Sequence, residues 1–191
     1  QLKYEIYDVL NRTKKAVLET DGQLMLWNDE INFNENKLKT NNEYLKSWYA
    51  EQSLRELLTY RDFVLKNKYK YKDLLKIILT RSARSARLTT HFDLDFPKKP
   101  QTEPYWCYKH SRTCEPVQEA FKFLKRYSTD TFKRIKAFDA IRTKASVSVI
   151  HGDSRLLDFP QIDGVITSPP YVGLIDYHEQ HAYAYALLDL E

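Results

Sequence analysis

Ser168, Pro169, Pro170 and Tyr171 follow directly on Val165-Ile166-Thr167, so a β-branched run ends against a hydroxyl, two prolines and an aromatic ring. β-Branched side chains suit a buried strand, whereas consecutive prolines have no N–H for a ladder and end the pairing. Proline fixes its own φ and drives the residue before it into extended backbone, which holds Ser168 and keeps nearby carbonyls out of regular hydrogen bonding. Free acceptors are thereby set beside a stacking surface, at the strand end where open α/β sheets bind ligands. Taken alone, Pro-Pro-Tyr is also an ordinary proline-rich turn.

The upstream context decides between these readings. Ser146-Val147-Ser148-Val149-Ile150 alternates like a second strand and runs into His151-Gly152-Asp153-Ser154-Arg155, where glycine permits a tight turn that presents Asp153. Two strands, each ending in a polar turn, are then separated by a short connection.

This arrangement closely resembles motifs III and IV of the amino-methyltransferases, S-adenosylmethionine-dependent enzymes that methylate exocyclic amines of DNA bases. The Ser-Pro-Pro-Tyr form is similar to the cytosine-N4 branch; the adenine-N6 branch more often carries Asp or Asn at the position of Ser168. The resemblance implies an α/β fold, part of a Rossmann-like sheet with a large, mainly helical insertion or second domain. It implies that Ser168 Oγ and the Pro169 carbonyl accept the target amine, Pro170 stiffens the loop and Tyr171 stacks on a flipped-out base. Asp153 would contact the adenine of the cofactor, although a plain Gly-Asp turn is the competing reading. Acceptors that hold both amine hydrogens favour a more tetrahedral nitrogen aimed at the sulfonium methyl, which is positioning plus electrostatic stabilisation. The pattern is incomplete. The chain opens at Gln1, and none of its four glycines builds the Gly-x-Gly loop the family sets against the methionine part of the cofactor. A fragment is expected, with motif I on a missing N-terminal half or a second polypeptide. Double-stranded DNA and a cognate restriction endonuclease are the implied partners.

The remaining sequence must position these residues. Residues 145–191 are read as the partial catalytic segment and 1–144 as a mainly helical region that contributes to DNA recognition. Helical spacing of apolar residues predicts helices over Tyr4–Glu19, over Leu45–Val64 with a break near Gln52-Ser53, over Tyr71–Ala86, and from Pro116 to Ile141 with a second cap at Ser128-Thr129-Asp130. Asp21 to Asn42 reads as a linker with a short strand at Leu24–Trp27, and Leu88 to Glu115 as a long loop in which aromatics alternate with Lys98, Lys99, Lys109 and Arg112. A further helix follows Tyr171 towards Leu190; in the enzymes the chain resembles, the start of that helix lines the base pocket, which would bring Asp176, Tyr177 and His178 near the DNA or the flipped base, while His178 and His181 are equally read as polar helix positions and given no catalytic role. Arg81, Arg84 and Arg87 recur at steps of three and are read as phosphate contacts on one helix face, against the alternative of a solvated helix end.

A net charge of +4, from 30 basic and 26 acidic residues, is too small to argue for nucleic acid by itself. The 14 tyrosines and 9 phenylalanines point to a packed domain rather than a disordered chain. No apolar run has membrane-spanning length and no signal-peptide pattern opens the chain, so a cytoplasmic protein is expected, with no membrane partner. The two cysteines, Cys107 and Cys114, suit a reducing compartment. With His110 they give three metal-ligand types in a short span but no clear fourth, so ordinary thiols are the favoured reading and no metal site is assigned.

Overall fold

The computed structural model describes residues 1–20, 40–89, 99–168, 171, 173 and 176–190. Among the described residues the regular structure is six helices and one antiparallel ribbon: α1 (Leu2–Thr20), α2 (Glu43–Trp48), α3 (Glu51–Lys66), α4 (Lys72–Ala86), β1 (Tyr105–Cys107), β2 (Arg112–Cys114), α5 (Phe121–Ile141) and α6 (Tyr177–Leu188). The strand expected at 24–27 lies outside the described residues.

The helices form where apolar residues recur at helical spacing. Ile6, Val9 and Leu10 of α1, Leu57, Leu58, Tyr60 and Val64 of α3, Leu75, Ile78 and Leu79 of α4, and Leu124 of α5 are all buried in one core. Helix α3 is its hub and touches every other helix. Tyr183 and Leu187 seal α6 into the same core.

Helix starts leave backbone N–H groups without intrahelical partners. Asn42 caps α2 by accepting from the Leu45 N–H at 3.1 Å, and Asp176 caps α6 by accepting from Glu179 at 2.9 Å. Helices α4 and α5 have no side-chain cap of their own. A buried glutamate from another helix serves instead. Glu5 of α1 accepts from the N–H groups of Lys70 (3.3 Å) and Tyr71 (3.0 Å), and Glu56 of α3 accepts from Ala120 (2.7 Å) and Phe121 (2.6 Å).

Three sequence expectations are corrected here. The break between α2 and α3 falls at Tyr49-Ala50, because extended backbone at Tyr49 lets its buried ring cross to α4 and donate from its hydroxyl to the Ala83 carbonyl at 3.1 Å. Helix α5 runs through Ser128-Thr129-Asp130 without a second cap. Thr129 Oγ1 donates back to the Lys125 carbonyl at 3.1 Å, and Asp130 reaches sideways to Arg81 and Arg134, so the side chains of Thr129 and Asp130 are satisfied without ending the helix. Residues 105–114, expected to be irregular, form the ribbon, with Tyr105 opposite Cys114, Trp106 opposite Thr113 and Cys107 opposite Arg112.

The expected strands at 146–150 and 165–167 are not strands, and the described residues contain one two-stranded sheet rather than a Rossmann-like one. A strand exists only through a partner that takes up its N–H and C=O groups. No described segment lies paired with either run. Their apolar side chains are turned to solvent, Val149 being 90% exposed and Val165 73%. Between residues 141 and 168 every side chain but Leu157 is exposed, so the α/β character read from this stretch stays in its sequence pattern.

Candidate functional site

Ser168 and Tyr171 are both exposed, at the end of the Val165–Thr167 run. Pro169 and Pro170, expected to complete the site, lie outside the described residues. The next helix along the chain is firmly held. The Asp176 cap starts α6, whose Tyr183 lies beneath the Arg87 guanidinium at 5.3 Å. At its far end Arg61 donates to the Leu187 carbonyl at 3.3 Å and pairs with Asp189 at 3.6 Å. Asp189 ends the helix in left-handed backbone, φ 51°. Tyr171 is thus five residues upstream of the Asp176 cap of a helix rooted in the core.

His178 and His181 stand on the exposed side of α6. The His178 ring lies 4.6 Å from that of Tyr185, and His181 Nδ1 lies 2.8 Å from the Tyr177 carbonyl. Asn42, Tyr44, His178 and Tyr185 edge an open hollow of about 300 Å³ beside α6, and none of the expected site residues lines it.

Asp153 sits in a tight turn closed by the Leu156 N–H donating to the Asp153 carbonyl at 2.9 Å. The space for that turn comes from Gly152, where a Cβ would meet Leu157 at 3.1 Å. Arg155 donates to both Asp153 oxygens, Nε at 3.0 and 3.1 Å and Nη2 at 2.6 Å, and its backbone N–H adds a bond of 3.0 Å to Oδ1. These bonds hold the Asp153 carboxyl below the usual range. It is therefore an exposed, ionised acceptor.

The three arginines do not share one exposed face. Arg81 turns towards α5, donating to Asp130 (2.7 Å) and Thr131 (3.1 Å) and lying 4.4 Å over the Tyr127 ring. Arg87 is 2% exposed at the α4 C-cap, where its Nε donates to the Arg84 carbonyl at 3.1 Å and its guanidinium lies between Trp48 and Tyr183. Arg84 is the exposed member of the set. The reason is geometric: each step of three turns the side chain by about 60°, so two steps spread three residues over about 120° of helix surface. Nothing in the sequence alone marked Arg87 as a core cation.

On the ribbon, Cys107 is buried, Cys114 half-buried and His110 exposed. The ligand atoms of all three lie within 4.8 Å of one another.

Comparison with known proteins gives one clear relationship. The chain is 43% identical over 164 aligned positions to the Type II methyltransferase M.MjaII of Methanocaldococcus jannaschii, a match that takes in 77% of this chain and 31% of that protein. The chain thus spans about a third of the length of this curated relative. No family model matches the chain, and no solved structure does.

Proposed function

From a chain whose resemblance to the DNA methyltransferases is borne out by 43% identity to a type II methyltransferase, we propose a site-specific DNA methyltransferase. It transfers a methyl group from S-adenosylmethionine to the exocyclic N4 amine of a flipped-out cytosine, in a restriction-modification system. The observation that carries this reading is the Asp163–Tyr171 stretch, Ser-Pro-Pro-Tyr after an apolar run, within a chain that has such a relative.

The chemistry assigned to this chain is positioning. Ser168 Oγ accepts a hydrogen of the target amine, the Pro169 carbonyl accepts the other, and Tyr171 offers its exposed ring to the displaced base. No strong base is needed, because the methylated nitrogen sheds its proton readily once the bond has formed. The cofactor supplies the electrophilic sulfonium methyl. Asp153 is exposed and ionised, so it can take an adenine amine in exchange for one of its bonds to Arg155. For the methionine part of the cofactor the described residues offer no glycine-rich loop, so we assign that half to a segment or second polypeptide carrying motif I. The uncovered runs that hold Val147 and Val149, and Val165 and Ile166, are the segments that would pair into its sheet in a Rossmann-like fold.

Nucleoside mass spectrometry of DNA from cells expressing the gene that encodes this chain tests the reading. N4-methylcytosine is the expected product; N6-methyladenine in its place would move the enzyme to the adenine branch. Neither base, together with DNA binding, would favour a non-catalytic nucleic-acid-binding subunit, the reading to which the scarcity of glycine points.

The arginine geometry separates structural from DNA-facing roles. Arg81→Ala is expected to lower the melting temperature by a few degrees through loss of its α5 contacts and the Tyr127 stack. Arg84→Ala is expected to leave it unchanged and to reduce the salt dependence of DNA binding by about one phosphate contact. A reversed pattern would assign the phosphate to Arg81.

A further inference from the structure

We propose that Cys107, His110 and Cys114 form a binding site for a divalent, thiolate-preferring transition metal, with zinc as the metal and solvent in its fourth position. The sequence offered three ligand types without a fourth; the fold adds convergence. In the ribbon Cys107 pairs with Arg112 and Tyr105 with Cys114, so Cys107 and Cys114 lie diagonally on one face, with Trp106 and Thr113 on the other. The turn between the strands is closed by the His110 N–H donating to the Cys107 carbonyl at 3.1 Å, and Ser111 adopts left-handed backbone at φ 49°. His110 is thereby brought back over the cysteine face, with Nδ1 3.3 Å from Cys114 Sγ.

These separations match metal chemistry. Tetrahedral zinc with bonds of roughly 2.3 Å to sulfur and 2.0–2.1 Å to nitrogen sets neighbouring ligand atoms roughly 3.6–3.8 Å apart. The three atoms lie within 4.8 Å of one another, so side-chain adjustment of about an ångström closes the set. Two thiolates and a neutral imidazole balance the charge of a divalent ion, and each thiol releases its proton on ligation. Sulfur donors select zinc over magnesium or calcium, which take oxygen. The fourth position faces solvent, because His110 is exposed and Cys114 half-buried.

The fold also has a use for such an ion. A ribbon of three residue pairs is marginal in water by itself, and although Tyr105 and Cys107 of β1 are buried, β2 and the turn are largely exposed. A metal joining both strands and their turn would fix the ribbon and hold the exposed Trp106 and Tyr108 in place. A disulfide is the competing use of the cysteines, but both are free thiols and a disulfide leaves His110 with no part.

The experiment is metal analysis of the purified protein under reducing conditions, together with cobalt(II) titration. Roughly stoichiometric zinc and thiolate-to-cobalt charge-transfer absorption are expected, with zinc shielding both cysteines from alkylation. His110→Ala should weaken zinc binding roughly tenfold or more, His110→Cys should preserve it, and Cys107→Ser should abolish the cobalt band. The wild-type readouts stand whether or not a variant folds. Absent zinc with no cobalt charge transfer overturns the proposal, as does a mass two hydrogens lower that marks a Cys107–Cys114 disulfide in the protein as isolated.

Discussion

Replacing Ser168 by alanine is expected to lower the methylation rate constant by roughly a hundredfold, in line with the loss of one preorganised hydrogen-bond partner at a reacting centre. The amine nitrogen of cytosine is a poor nucleophile because its lone pair is delocalised into the ring. An acceptor that strengthens its hold as the nitrogen becomes tetrahedral acts more on the transition state than on the bound base. The effect should therefore appear in kcat, with cofactor affinity unchanged and DNA affinity nearly so. Ser168 is exposed, so alanine there leaves no cavity and no buried orphan. An unchanged melting temperature would separate catalysis from folding. Single-turnover methylation by the Ser168→Ala protein at the wild-type rate would remove Ser168 from the amine-binding role and leave the loop as a turn.

In the proposed role, Ser168 and Tyr171 would draw their support from the helix on their C-terminal side. A catalytic loop needs support from rigid elements. Here that support is α6, capped by Asp176, sealed by Tyr183 and Leu187 and held at its far end by Arg61. The helix that follows the loop is thus joined to the helical region through packing, which the sequence alone did not reveal, since the buried Tyr183 carried no signal of its own.

The parts legible in sequence are those where many residues vote together. Helices α1, α3, α4 and α5 each repeat apolar side chains over several turns, so a misleading residue or two does not hide them. The failures turn on single contacts between distant residues. Asp130 looked like a cap because nothing nearby announced that Arg81 would meet it from another helix. Arg87 looked like a solvent-facing cation because its partners, Trp48 and Tyr183, lie far from it in the chain. The ribbon was missed because three-residue strands are too short for alternation to register. At 146–150 and 165–167 the opposite happened: alternation in the first run and β-branching in the second were plain, but pairing is a property of two segments, and no described segment pairs with either. Asp153 was legible as a presented turn carboxylate, and its engagement by Arg155 was not.

The largest effect on stability is expected from Glu56→Ala, at about 2–4 kcal/mol. Glu56 is 4% exposed and accepts three bonds, from the Ala120 and Phe121 N–H groups and from Gln52 Nε2 at 2.8 Å. Alanine would leave the first N–H groups of α5 without a partner in a place water reaches poorly, and would break the tie between α5 and the hub helix. Glu56→Gln keeps an acceptor oxygen and should cost much less. The two variants also separate charge from capping. Burial pushes the Glu56 carboxyl above its ordinary 4.5, against the lowering effect of its hydrogen bonds to Gln52, Phe121 and Ala120. A folded-state value above the unfolded one means that the folded protein holds the proton more tightly. This contribution is fully present below about pH 4.5 and is lost as pH rises through the raised folded value. Urea unfolding at a series of pH values should accordingly show the wild type losing stability relative to Glu56→Gln across that window. A difference that grows in the wild type's favour as pH rises would mean that the ionised carboxylate is the preferred cap and that its hydrogen bonds outweigh desolvation. If alanine proves as stable as wild type, α5 does not depend on Glu56 for its start.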